Sequence, residues 1–177
     1  MNSFEIGILD FIREHFTCNF FDWFFPLITR FADHGMGWII TAVILLCFKK
    51  TRKMGFSMGL ALIIGYLVGN MFLKNAIARV RPYDFAEGIE LLIDKLTDFS
   101  FPSGHTLCSF EGAFAVFTRN KKWGIAAIVF AVLIAISRLY LYVHYPSDVL
   151  AGAILGIFIA YLASFIVDKI YNKKPSH

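Results

Sequence analysis

Long apolar runs separated by short polar stretches make up most of the chain, and this alternation predicts a helical membrane protein. A helix needs about 20 residues to cross the hydrocarbon core of a bilayer. Several runs are shorter, so their polar ends must reach the interface. Six runs follow this pattern, at residues 19–32, 37–48, 54–73, 106–117, 123–141 and 149–167. We therefore predict an all-α, polytopic transmembrane bundle of about six helices.

The first residues show a different pattern, because their apolar and charged side chains separate onto different helical faces. Phe4, Ile8, Phe11 and Ile12 recur at helical spacing, with charged residues between them. Such separation is typical of a helix that lies in the membrane interface. We predict a short interfacial helix over residues 3–16.

Composition supports a membrane class and excludes several others. The chain has 177 residues, of which 58% are hydrophobic, and a mean hydropathy of +0.64. This length predicts a single integral membrane domain, residues 1–177. The net charge of +4 comes from bases at the ends of apolar runs rather than along one polar face, so we expect no nucleic-acid partner. The first residues include Glu5 and Asp10 and lack a basic stretch, so we expect no cleaved signal peptide.

The basic clusters predict the orientation of the bundle. If each run crosses once, the clusters at 49–53, 119–122 and 169–174 share one side, which positive-inside statistics assign to the cytoplasm. The connections 74–105 and 138–148 then share the outer face. We therefore expect an outward-facing site in a multi-pass cell-membrane protein, with both termini in the cytoplasm.

The stretch Pro102-Ser103-Gly104-His105 precedes an apolar run and has the composition of an anion-binding helix start. Ser103 can cap the helix, and Gly104 lets a ligand approach the free backbone N–H groups. An ordinary turn with a capping serine would have the same sequence, so both interpretations remain open here.

His144 and Asp148 lie four residues apart at the start of the last run. A carboxylate that accepts one imidazole N–H fixes the tautomer and raises the basicity of the other nitrogen, which makes His144 a candidate nucleophile. Taken alone, this spacing equally describes a surface histidine at a membrane interface.

Three bases lie near these motifs, and each is a candidate phosphate ligand. Arg81 and Arg138 can bind phosphate oxygens in bidentate fashion, and Lys74 supplies a point charge. Taken singly, each base could instead anchor the protein to lipid headgroups. We assign that anchoring role to Arg79.

The remaining polar residues receive structural interpretations. Asp33 and His34 are expected to cap a loop, and Glu111, inside an apolar run, is expected to pair within the bundle ahead of any catalytic role. The cysteines have no metal-ligand spacing and are interpreted as packing residues: Cys18, Cys47 and Cys108. We expect no metal and no cofactor.

Together these pieces resemble the type 2 phosphatidic acid phosphatase superfamily. Its three motifs match in order: Lys74 through Arg81-Pro82, then Pro102 to His105, then Ser137-Arg138 with His144 and Asp148. The resemblance covers about residues 54–168, and three motifs at family spacing are highly specific. The family also includes soluble acid phosphatases and vanadate haloperoxidases, which the apolar runs argue against.

The resemblance implies a metal-independent lipid phosphatase. His144 would attack phosphorus and form a phosphohistidine, Asp148 would orient it, and His105 would protonate the leaving oxygen and then activate water. The phosphate oxygens would be held by Lys74, Arg81, Arg138, Ser103 and Gly104.

The implied substrate is a lipid phosphate held at the bilayer interface. Undecaprenyl diphosphate suits a small enzyme with an outward site. Phosphatidylglycerol phosphate and phosphatidic acid are close alternatives, and the 1-phosphate of lipid A is a more distant one. Phosphotransfer to another lipid, or lipid-phosphate binding and transport without turnover, would use the same site. The oligomeric state is not predicted.

Overall fold

The computed structural model describes residues 3–86 and 88–172, and every regular element in these ranges is helical. The α-helices are α1 (Ser3–Phe16), α2 (Asn19–Thr29), α3 (Met36–Cys47), α4 (Arg52–Gly65), α5 (Lys74–Ile77), α6 (Gly104–Phe117), α7 (Lys121–Tyr140) and α8 (Pro146–Asn172). A 3-10 segment, Arg30–Gly35, joins α2 to α3, and a π-helical segment, Tyr66–Leu73, continues α4 into α5. A further 3-10 turn covers Pro82–Asp84. The all-α prediction is confirmed.

Helix α6 lies at the centre of the bundle and packs against α4, α7 and α8. Its 14 residues include eight buried positions, most of them small or apolar. The approach of α8 requires glycine, because a Cβ at Gly152 would lie 2.8 Å from the carbonyl oxygen of Ser103. This contact brings the start of α8 against the start of α6.

The bundle has two chemically distinct ends. At the first, which we call the site end, α6 and α8 begin and α7 finishes, and the Ser103 N–H donates to the carbonyl oxygen of Asp148 at 3.1 Å. At the other, Arg119 pairs with Asp168 at 2.7 Å, and the Lys53 ammonium lies 5.0 Å from the centre of the Tyr171 ring. We call this the basic end, and its cations are Lys49, Lys50, Arg52, Lys53, Arg119, Lys121, Lys122 and Lys169.

Four helical stretches in the described residues are long and apolar enough to cross a membrane: Asn19–Cys47, Arg52–Asp84, Lys121–Tyr140 and Pro146–Asn172. Helix α6 is shorter, at about 21 Å for 14 residues. The first stretch is not straight, because Asp33 and His34 leave the helical conformation (ψ 122° and φ 50°, respectively).

Helices α1 and α2 both lie at the site end, which corrects the predicted topology. Asp22 of α2 accepts a hydrogen bond from the Tyr140 hydroxyl at 2.6 Å, and Thr29, near the other end of α2, accepts one from Arg138 at 2.7 Å. Tyr140 and Arg138 are neighbours at the end of α7, so α2 lies across the bundle end rather than along it.

Five helical runs therefore join the two ends in the described residues: α3, α4 with its continuation, α6, α7 and α8. The run 19–32 has the composition of a span, but composition does not show whether a helix lies along the bundle or across its end. Because α1 lies at the site end and the last turn of α8 at the basic end, the prediction that both termini share one face is wrong for the described residues.

Candidate active site

The structure brings the predicted site residues together at the site end, where five of them line one cavity. The cavity has a volume of about 800 Å³, and its polar lining includes Lys74, Arg81, Asp98, Gly104, His105 and His144. Ser103, Arg138 and Asp148 are fully buried at the same end. Two histidines separated by 39 positions in the sequence therefore share one cavity with two cations.

His144 lies in the turn between α7 and α8, beside the carboxylate predicted to orient it. Its Nδ1 is 3.6 Å from Asp148 Oδ2. Ser100 bridges the two groups, because its hydroxyl lies 3.4 Å from Nδ1 and donates to Asp148 Oδ2 at 2.5 Å. The backbone N–H of Tyr145 donates to the same oxygen at 3.0 Å. Nothing in the local sequence pattern distinguished Ser100.

The imidazole of His144 is held in its neutral form. Burial lowers the pKa of His144 well below its ordinary value, and the nearby charges of Arg81 and Arg138 act in the same direction. A neutral imidazole retains the lone pair that a nucleophile needs.

Lys74 and Arg81 share one carboxylate that sequence reasoning missed. The Lys74 ammonium pairs with Asp98 Oδ2, and Arg81 donates to Asp98 Oδ1 at 2.6 Å. Burial acts to raise the pKa of Asp98, but the bonds from Lys74 and the charge of Arg81 outweigh it and lower that pKa to about 2. An anion thus already bridges the two cations predicted to bind phosphate.

Arg138 is fully buried and incompletely paired. One nitrogen, NH1, donates to the Thr29 hydroxyl at 2.7 Å, whereas Nε and NH2 have no hydrogen-bond partner among the described residues. Burying unpaired charged donors is costly. An anion at this position would satisfy them.

His105, the second residue of α6, lies 2.8 Å through its Nε2 from Asp33 Oδ1. The Asp33 side chain therefore holds a candidate acid rather than capping a loop. Ser103 is at the N-cap position of α6, yet its side chain does not cap the helix and instead accepts from the Thr106 hydroxyl at 3.0 Å.

Arg79 and Glu111 also differ from their expected roles. Arg79 is not a lipid anchor, because its guanidinium donates to Asp148 Oδ1 at 2.6 Å. Glu111 lines the cavity, and its Oε1 has no partner among the described residues, so the expected structural pairing of that oxygen is not found. A Cβ at Gly65 would lie 1.7 Å from this oxygen, so glycine there makes room for the carboxyl group.

The cavity continues from the charged groups into an apolar groove between α3 and α4. Its deeper lining includes Ile39, Val43, Leu46, Leu62 and Ile63. The described residues contain no cluster of three or more histidine, cysteine or acidic side chains arranged to hold a metal ion. The arrangement combines an anion site with a slot for a hydrocarbon chain.

Comparison with known proteins finds relatives that are similar in sequence. The undecaprenyl-diphosphatase of Sulfolobus acidocaldarius is 40% identical over 127 residues, which are 71% of this chain and 61% of that protein. The undecaprenyl-diphosphatase BcrC of Bacillus subtilis is 33% identical over 135 residues, 76% of this chain and 69% of the relative. The chain thus spans less than two thirds of the archaeal relative.

A solved structure extends the likeness to the whole fold. The crystal structure of a transmembrane PAP2-type phosphatidylglycerolphosphate phosphatase from Bacillus subtilis has a TM-score of 0.76 and 28% identity, and covers 97% of this chain and 88% of that one. Residues 50–171 match the PAP2 superfamily and include the three motifs that bound the cavity. The three relatives named here are phosphatases of lipid phosphates, and the chain belongs to the PAP2 superfamily.

Proposed function

We propose that this protein is a metal-independent membrane phosphatase that hydrolyses a lipid phosphate through a phosphohistidine on His144. The observation that carries the proposal is the cavity itself, because it joins two histidines and two cations to an apolar groove. A non-catalytic binder would need the cations and the groove, but not a histidine backed by the buried carboxylate of Asp148.

The first chemical step uses Nε2 of His144. This nitrogen attacks phosphorus, the bond between phosphorus and the leaving oxygen breaks, and His105 donates a proton to that oxygen. A positive charge develops on the His144 ring during the attack. Asp148 and Ser100, which lie at Nδ1, stabilise this charge. The product is a phosphohistidine and the released lipid alcohol or lipid phosphate.

The second step returns the enzyme to its starting state. His105, now neutral, takes a proton from water as the water oxygen attacks phosphorus, and the bond from phosphorus to Nε2 breaks. Inorganic phosphate leaves with His105 protonated. The same geometry would serve an acceptor hydroxyl of another lipid in place of water.

Cationic side chains perform the electrostatic work that a divalent metal performs in other phosphoryl-transfer sites. The oxygens of the phosphoryl group would be held by Lys74, Arg81, Arg138, Ser103 and the Gly104 N–H. The unpaired Nε and NH2 of Arg138 support this role. Asp98 would release Lys74 and Arg81 as the phosphate arrives, since one set of donors cannot fully serve both anions.

The substrate is a long-chain lipid phosphate, and undecaprenyl diphosphate is the first choice. The groove supports a hydrocarbon tail, and the two relatives above are undecaprenyl-diphosphatases. Phosphatidylglycerol phosphate is the second candidate, because the structural neighbour acts on it. The cations of the basic end support a cytoplasmic position for that end and an outer position for the site.

The deciding experiment measures phosphate release from lipid mono- and diphosphates in detergent with EDTA present. Wild-type protein should turn over, His144→Ala should not, and radiolabelled phosphate should be trapped on His144. His15→Ala is the matched control, because His15 lies on α1 and, in the described part of the chain, its ring bonds only the Phe11 carbonyl oxygen of the same helix. Full activity of His144→Ala in a folded protein would disprove the mechanism, and loss of all activity in EDTA would disprove metal independence.

A further inference from the structure

A chain of ion pairs links the surface helix α1 to the carboxylate behind His144. We propose that Arg79 is a positioning residue that fixes the carboxylate of Asp148, and that Glu5 of α1 holds Arg79 in place. The inference rests on the proposed function, in which Asp148 supports the nucleophile.

Both oxygens of Asp148 are engaged, and they face opposite sides. Oδ2 faces the catalytic ring and accepts from Ser100 and from the backbone of Tyr145. Oδ1 accepts from Arg79 NH1 at 2.6 Å, and the Asp148 side chain is 0% exposed. A carboxylate held from both sides cannot rotate about its last bond, so the oxygen near His144 stays in place.

Arg79 acts on this group through its main chain as well. Its carbonyl oxygen accepts the N–H of Ser100 at 2.8 Å, and Ser100 is the residue that bridges Asp148 and His144. The preceding residue, Ala78, has a φ of 48°, an unusual conformation for alanine that ends α5 and turns the chain toward the site. The side chain and the backbone of Arg79 therefore reach the two sides of the same carboxylate.

The guanidinium of Arg79 is itself fixed by three groups. NH2 pairs with Glu5 Oε2 at 2.6 Å, NH1 also donates to the Ser147 hydroxyl at 2.6 Å, and the group stacks 3.8 Å from the centre of the Tyr145 ring. Its planar fork can bond two carboxylates at once, which a lysine cannot reproduce.

Glu5 connects this network to α1. Its second oxygen, Oε1, accepts the backbone N–H of Ser147 at 2.9 Å, in the first turn of α8. Glu5 thus bonds both Arg79 and the helix that carries Asp148. The fully buried Leu9, one turn further along α1, anchors the helix against the site end.

The geometry separates Arg79 from the phosphate-binding cations. Lys74 and Arg81 line the cavity, and Arg138 has two nitrogens with no hydrogen-bond partner among the described residues. The guanidinium of Arg79 lies outside the lining and is paired with two carboxylates, those of Asp148 and Glu5. Loss of Arg79 should therefore slow the chemical step, which needs an oriented His144, and leave substrate binding nearly unchanged.

The test compares Arg79→Gln, Arg79→Lys, Glu5→Gln and the double variant with wild type, using kcat and KM on one lipid phosphate. Arg79→Gln should lower kcat about 10- to 100-fold, the range seen when groups that orient a functional ligand are removed, with KM changed less than about 3-fold. Arg79→Lys should restore part of kcat, because it returns the charge but not the fork. Glu5→Gln should lower kcat several-fold, and the double variant should lose less than the product of the two single losses.

Arg13→Gln is the matched control, because Arg13 lies on α1 and its guanidinium donates, among the described residues, only to the Glu90 carbonyl oxygen, which is 3.3 Å from NH2. Its kcat should match wild type. Unchanged kcat in folded Arg79→Gln, a raised KM at unchanged kcat, or independent losses in the double variant would each overturn the inference while wild-type turnover persists. Absence of wild-type turnover and of trapped phosphate would instead refute the proposed function.

Discussion

Arg81 NH1 lies 3.3 Å from Nε2 of His144, on the side of the ring opposite Asp148. A guanidinium can only donate hydrogen bonds, so Nε2 must present its lone pair. The proton of the neutral ring then resides on Nδ1, where Ser100 and Asp148 can accept it. In the proposed mechanism Nε2 is therefore the attacking nitrogen, and a phosphate oxygen must draw Arg81 away from it.

The first prediction concerns pH. The pKa of His144 is lowered by burial and by the charges of Arg81, Arg138, Lys74 and His105, with Asp148 as the opposing anion. Because the neutral ring is the proposed nucleophile, the lowered pKa of His144 predicts that activity survives as pH falls through about 6.5. We expect the acid limb of kcat/KM only well below that value.

The pH profile needs two controls. Intrinsic fluorescence should show that the protein remains folded over the same range. Two lipid phosphates with different phosphate pKa values should be compared, since a limb that moves with the substrate belongs to the substrate. An enzyme-derived acid limb at or above pH 6.5 would contradict a neutral, buried His144.

The second prediction concerns the carboxylate shared by Lys74 and Arg81. With a pKa of about 2, Asp98 is ionised throughout the working range and competes with phosphate for both cations. Asp98→Asn removes one negative charge, so inorganic phosphate should inhibit about 3- to 10-fold more strongly at low ionic strength, with a smaller effect at high salt. Asp94→Asn, in the same connection and exposed, is the control. Weaker inhibition by phosphate in Asp98→Asn would mean that Asp98 mainly positions the cations.

The third prediction sets function against stability at Arg138. Arg138→Met should lower kcat/KM about 100- to 1,000-fold, because the change removes a charged group that we propose donates to the phosphoryl oxygens. The same change should raise the Tm of the ligand-free protein, because a buried cation with two unpaired nitrogens is replaced by an apolar chain. Arg119→Met at the basic end should leave kcat/KM unchanged. A fall in Tm for folded, ligand-free Arg138→Met would show that the charge is already compensated.

The sequence predicts that the three motifs lie close together, because each motif lies at the end of an apolar run, and the structure places them at one end of the bundle. Lys74 follows the run 54–73, His105 precedes the run 106–117, and His144 precedes the run 149–167. Because consecutive runs cross the bundle in opposite directions, these ends lie at the same end of the bundle. The partners were not foreseen, because Glu5 meets Ser147 across 142 positions and no local pattern reports such a contact. Asp98 likewise resembled any solvated loop acid.

The prediction that the run 19–32 crosses the membrane was wrong for a related physical reason. The run 19–32 is apolar enough to be read as a span, because a helix lying across the bundle end buries one face and exposes another to lipid or interface. Phe20 and Trp23 of α2 are 59% and 62% exposed. Only the pairing of Asp22 and Thr29 with one end of α7 reveals its direction.

The fourth prediction tests the groove as the site of the lipid tail. Val43 lines it, so Val43→Trp should fill space that a tail requires. We expect kcat/KM for a long-chain lipid phosphate to fall about 10-fold or more, with little change for a short, water-soluble phosphate ester. Val132→Trp, on the exposed surface of α7 outside the groove, is the control. Equal losses for long and short substrates would place the tail elsewhere.

The fifth prediction uses native cysteines to test orientation. Cys18 and Cys47 are exposed rather than packed, and they lie at opposite ends: Cys18 precedes α2 beside the site end, and Cys47 ends α3 near the basic end. If the basic end is cytoplasmic, a membrane-impermeant thiol reagent added to intact cells should label Cys18 and leave Cys47 unlabelled until the membrane is opened. Cys18→Ser and Cys47→Ser assign each signal, and Cys108→Ser removes any signal from Cys108, which is half-buried and lines the cavity. Labelling of Cys47 alone in intact cells would place the cavity on the cytoplasmic face, which would reverse the proposed orientation and leave the chemistry of the site intact.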